Sequence, residues 1–242
     1  MPAAAQALSG AIEVEGHGTV SALALGSAHA RAAFVLAHGA GAGMTHPFMQ
    51  RLAEGLAARG VATLRYQFPY MERGSQRPDA PAVAHAAVRA AVAEARRRWP
   101  QLPLVAGGKS FGARMTSQAH AASPLPGVSG LVFVGFPLHP AGEPGTQRAD
   151  HLAGAGGPML FLQGTRDELA EPALVKQVLA RLGERATVEW FEHADHSFHV
   201  RAGDVKQHGA RNDAQTLQAL LDATARWIDR LASSPHAAGA AR

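Results

Sequence analysis

From residue 32 onward the chain alternates short apolar runs with longer helix-like stretches, and this alternation restricts the possible folds more than any other feature. The runs are AAFVLAH (32–38), VATLRY (61–66), LPLVAGG (102–108), GLVFVGF (130–136), PMLFLQG (158–164) and TVEWFE (187–192). Their β-branched and aromatic content marks them as strands. Helical patterns are expected at about 48–59, 80–98, 111–122, 172–182 and 213–232, and AIEVE with TVSALAL adds an opening pair of strands. Several runs are apolar almost throughout, as strands must be when helices cover both faces of a sheet. The expected fold is therefore α/β, a doubly wound and mostly parallel sheet of about eight strands.

The 242 residues contain no cysteine, which excludes disulfides, thiolate metal sites and a cysteine nucleophile. Residues 1–232 read as one domain, because no Pro/Ser/Gly-rich linker interrupts them, and 233–242 read as a loose tail. The opening MPAAAQALSGAIEVEG has neither a basic start nor a sustained apolar segment, so a cytoplasmic protein with no membrane association is expected. The net charge is +4, but 20 of the 23 basic residues are scattered arginines. The one run, Arg96-Arg97-Arg98, closes a helix, where cations suit the dipole; no nucleic-acid partner is expected.

In a doubly wound sheet, ligands bind beyond the carboxyl ends of the strands. Four segments fall there: His38-Gly39-Ala40-Gly41-Ala42-Gly43, the GGKSFGAR around Ser110, the QGTRDEL around Asp167, and HADHSFH around His196. A serine hydroxyl attacks only if a base takes its proton and a third group orients that base. Ser110, His196 and Asp167 can fill those three roles. Asp195 adjoins His196, and neighbouring side chains on an extended loop diverge, so Asp167 is preferred as the acid and Asp195 is expected to bond its own loop. His193, His196 and His199 are spaced three apart but follow a strand rather than lying on a helix, so no metal is expected.

These four segments, in the order Ser, Asp, His with LAHGAGAG upstream, resemble an α/β-hydrolase across nearly the whole chain. AHGAGAGMTHPFM and GGKSFGARM resemble, more narrowly, the small dienelactone-hydrolase-like branch that also includes the hydrolase-like domain of the NSL-complex regulatory subunit. The resemblance implies an oxyanion hole with one donor from the residue after the serine, the Phe111 amide. A second comes from the loop after the third strand, the Ala40 amide or else that of Gly41. Gly108 and Gly112 would then keep the strand-to-helix turn free of side chains.

Around this centre, Arg65, Lys109, Arg114 and Arg166 lie near strand ends and could receive an anionic substrate group. His38 either shapes its loop or touches substrate, and Tyr66, Phe68 and Tyr70 either wall the site or pack the core. Only about 20 residues, rich in Gly and Pro, join GLVFVGF to PMLFLQ, too few for a cap domain. The expected function is a cofactor-free serine hydrolase acting on small-molecule carboxylic esters of short acyl chain, or on thioesters or lactones. The alternative is a non-catalytic binding or scaffolding module of the same fold.

Overall fold

The computed structural model describes residues 6–26 and 29–233. Apart from Ser233, the tail expected at 233–242 lies outside them. Two antiparallel strands, β1 (Gln6–Val14) and β2 (Gly18–Gly26), open the chain. Six strands follow: β3 (Ala32–Ala37), β4 (Val61–Tyr66), β5 (Leu104–Lys109), β6 (Val128–Val134), β7 (Met159–Gly164) and β8 (Ala186–Phe191). The sheet order is β1-β2-β4-β3-β5-β6-β7-β8, antiparallel as far as the β2–β4 pair and parallel from β4 to β8.

Helices α1 (Pro47–Ala57), α2 (Pro69–Glu72), α3 (Pro81–Arg98), α4 (Phe111–Ala122) and α5 (Pro172–Leu182) lie between strands, and α6 (Ala202–His208) and α7 (Asp213–Ser233) follow the last strand. Four of them begin on proline, whose fixed φ suits the first helical position and whose missing N–H is not needed there. The five longest match the expected helices to within two residues at each end. The short α2 and α6 were not expected, being too brief to show a period.

Alternate strand residues feed two cores. Val35, Leu64, Ala106, Phe133 and Phe161 face α3, α4 and α5, while Phe34, Leu36, Val105, Val132 and Leu160 face α1 and α7. α3 meets its side through Ala84, Ala87, Ala91 and Ala95, small residues that let the helix lie close to the sheet. At its end Arg97 and Arg98 both pair with Glu94. Among the described residues no helix is long and apolar enough to cross a membrane.

The order around β3 positions the site. From β3 the chain crosses through α1 to β4 on one side, then through α3 to β5 on the other, so a crevice opens between the carboxyl ends of β3 and β5. The loop after β3 and the turn after β5 thereby become neighbours. Among the described residues no cap covers the crevice: the β6–β7 connection contains one 3₁₀ stretch, Gln147–Ala153, packed against α4.

Candidate active site

The turn from β5 into α4 is tight because glycine occupies every position where backbone presses on backbone. A Cβ on Gly107 would strike the Val132 carbonyl, one on Gly108 the Ala37 carbonyl, and one on Gly112 would lie 2.6 Å from the carbonyl oxygen of His38. Ser110 has φ 51° and ψ −112°, a conformation that costs a non-glycine residue roughly 1–3 kcal/mol and persists only where its surroundings enforce it. Its amide donates to the Val134 carbonyl at 3.1 Å, which anchors the turn on β6.

That turn projects the Ser110 hydroxyl toward the loop after β8. Ser110 Oγ lies 2.8 Å from His196 Nε2, and His196 Nδ1 lies 2.8 Å from Asp167 Oδ2. Asp167 is 2% exposed and also accepts hydrogen bonds from Gln163 Nε2 at 2.6 Å and the Leu169 amide at 2.9 Å. With the carboxylate fixed, Nδ1 carries the hydrogen and Nε2 is left to accept the serine proton. Asp195 faces away: its Oδ1 accepts from the Ser197 and His199 amides, closing the loop on itself. His193 pairs with Asp204 and His199 with Asp213, so the three histidines turn to three different carboxylates.

A match to the model of the family described as "Alpha/beta hydrolase domain" spans residues 30–229. The chain belongs to the alpha/beta hydrolase family. Among solved structures it is similar to a dienelactone hydrolase from Anabaena variabilis, with TM-score 0.73 and 19% identity over 94% of this chain and 98% of that one. An α/β serine hydrolase without lid from Xanthomonas campestris matches with TM-score 0.69 and 20% identity over 97% and 98% of the two chains. A cold-adapted esterase from an Arctic intertidal metagenomic library matches with TM-score 0.64 and 16% identity over 93% and 95%. At 16–20% identity these likenesses concern the fold alone.

Within this hydrolase fold the remaining expected site residues divide by environment. His38 is fully buried; its Nδ1 donates to the Gly39 carbonyl at 2.8 Å and its Nε2 accepts from the Phe68 amide at 3.0 Å, tying the loop after β3 to the loop after β4. Burial holds it neutral, with its pKa down at about 4. Arg65, also buried, donates to the Met44 carbonyl at 2.9 Å and braces the same loop from below. Lys109 donates to the His196 carbonyl at 2.7 Å and lies over the Phe198 ring; burial lowers its pKa to about 8. Arg166 forks onto Asp204, away from the serine.

Tyr66, Phe68 and Tyr70 are buried beneath the crevice, Tyr70 with its ring edge-on to Phe111, so only Phe111 of this cluster reaches the cleft. Burial pushes the Tyr70 phenol up, partly offset by the Gly41 backbone. Two lobes meet at Ser110 and Ala40. One, of about 350 Å³, is lined by His46, Phe48, Arg51, Lys109, His196 and Ser197. The other, of about 380 Å³, is lined by Asp79, Phe111, Arg114, Met115, Arg148 and Leu169. Sequence reasoning reached Arg114 but missed Arg148 and Asp79, which lie in long connections rather than at strand ends.

Proposed function

We propose that the protein is a serine carboxylesterase that forms an acyl-enzyme on Ser110. The observation that carries this reading is the unbroken hydrogen-bonded path from Ser110 Oγ through His196 to the buried Asp167, beginning at a strained residue in an open cleft. His196 Nε2 takes the hydroxyl proton as Oγ bonds to the ester carbonyl carbon, and the carbonyl electrons move to oxygen. The Phe111 amide, first in α4 and without an intrahelical acceptor, is one donor to that oxyanion. Ala40 is favoured as the second, since it lines both lobes that meet at Ser110 and Gly41 lines neither.

As the tetrahedral intermediate collapses, the carbon–alkoxide bond breaks and the imidazolium returns its proton to the leaving oxygen. Water, deprotonated by the same imidazole, then splits the acyl-enzyme into carboxylic acid and free Ser110. Thioesters and lactones fit the same sequence of steps. The test is reaction of the purified protein with a fluorophosphonate, followed by mapping of the adduct. The expected adduct is on Ser110 alone and is lost in Ser110→Ala; a well-folded protein that takes no label would favour a binding module without turnover.

A further inference from the structure

Both lobes that meet at Ser110 carry two cations, but in the first Lys109 donates to the His196 carbonyl and the Arg51 charge acts on Asp213. His196 must hand its proton to the departing oxygen, so the alcohol part of a substrate occupies the lobe that His196 and Ser197 line. The acyl part then extends into the other lobe. There stand two guanidinium groups, Arg114 and Arg148, and among the described residues neither forms an ion pair with a carboxylate.

Arg148 is fixed by donating to the His139 carbonyl at 3.0 Å. Arg114 lies over the Phe111 ring, 5.9 Å from its centroid, and its buried Nε has no hydrogen-bond partner. Burial, and then the neighbouring positive charge of Arg148, lowers the Arg114 pKa. Burial, with the charge of Arg114 adding to it, lowers the pKa of both His85 and His151, that of His151 to about 4. Asp79 is the acid lining the lobe; its Oδ1 pairs with Arg73 at 2.5 Å, and its buried Oδ2 has no hydrogen-bond partner. Two guanidinium groups lining one lobe repel each other, and the Arg114 Nε donor is unmet; a carboxylate in the lobe would offset both charges.

We propose that the Arg114–Arg148 lobe is an anion subsite for the far end of the acyl group, so that the preferred substrates are monoesters of short dicarboxylic acids. This rests on the serine-hydrolase reading of the same site. Ser110, Arg114 and Arg148 line the same lobe of about 380 Å³, which has room for only a short chain between the ester carbonyl and the distal carboxylate, as in succinic, glutaric and adipic monoesters.

The test compares kcat/KM for monoethyl glutarate with that for its neutral isostere, the ethyl ester of glutaric monoamide. Wild type should favour the anionic ester by about tenfold or more, the preference should shrink as salt is raised, and the ratio should fall toward one in Arg114→Met/Arg148→Met. A wild-type ratio of one or less overturns the subsite and leaves the esterase standing. If neither ester turns over and the fluorophosphonate does not label, the hydrolase reading fails. Calorimetric titration of the wild type with glutarate then judges the subsite by itself. Binding that both arginine-to-lysine single variants retain in part and the double methionine variant loses supports it; absence of binding overturns it.

Discussion

Asp167 and Asp195 are two carboxylates within reach of one imidazole in sequence, and their surroundings give them different work. Asp167 Oδ2 lies against His196 Nδ1 and is held by Gln163, whereas Asp195 accepts two amides of its own loop. Asp167→Asn removes the anion that orients the imidazole and stabilises its charged form, so kcat should fall by roughly three to four orders of magnitude with the fold retained. Asn at 195 can still accept from the Ser197 and His199 amides, so Asp195→Asn should stay within about tenfold of wild type. Steady-state kinetics on one activated ester, with circular dichroism as the control for folding, measures both. The reverse pattern would transfer the acid's role to Asp195.

The element that sets the size of the site is the connection between β6 and β7. It is short, and its 3₁₀ stretch packs down on α4 through His151, which meets Ser117 at 2.8 Å, instead of arching over Ser110. A long neutral acyl chain therefore finds apolar contact only within the lobe, along Phe111, Met115, Leu169 and the prolines Pro78, Pro81 and Pro137. Each further methylene adds up to about 0.8 kcal/mol only while a wall receives it. With p-nitrophenyl esters of unbranched neutral acids, kcat/KM should peak between acetate and butyrate and decline beyond. A maximum at decanoate or longer would require an acyl channel that this connection does not form.

At the scale of the molecule, the loops that converge on the crevice are joined through buried polar groups, and this makes stability depend on pH. His38 bridges the loops after β3 and β4 as a neutral imidazole with a pKa of about 4, against 6.5 when exposed. The unfolded chain thus binds a proton more readily than the native one, so this stability is complete above pH 6.5 and is lost as pH falls toward 4. Between pH 7 and pH 5 the loss from His38 should be about 2 kcal/mol. Urea unfolding at the two pH values measures it. His38→Gln, whose amide oxygen can still accept from the Phe68 N–H, should show a smaller loss across the same interval; an equal loss would locate the acid sensitivity elsewhere.

The kind and order of the main elements, and the strand ends where polar side chains gather, were readable in the sequence because each rests on local physics. A strand buried on both faces must be apolar throughout, a long helix must repeat near 3.6 residues, and a turn forced against neighbouring backbone must be glycine. Ser110, Asp167 and His196 each stood directly after such a run. What local patterns do not encode is which chain segments lie side by side. That β4 and β5 flank β3, and so open the crevice, depends on packing among helices far apart in sequence. The same holds for charge. Arg65, Lys109, Arg114 and Arg166 look alike in the sequence, yet Met44, His196 and Asp204 supply acceptors to three of them, and Arg114 is left facing the cleft beside Arg148. A cation's availability is set by its partners, and those are chosen only when the chain has folded.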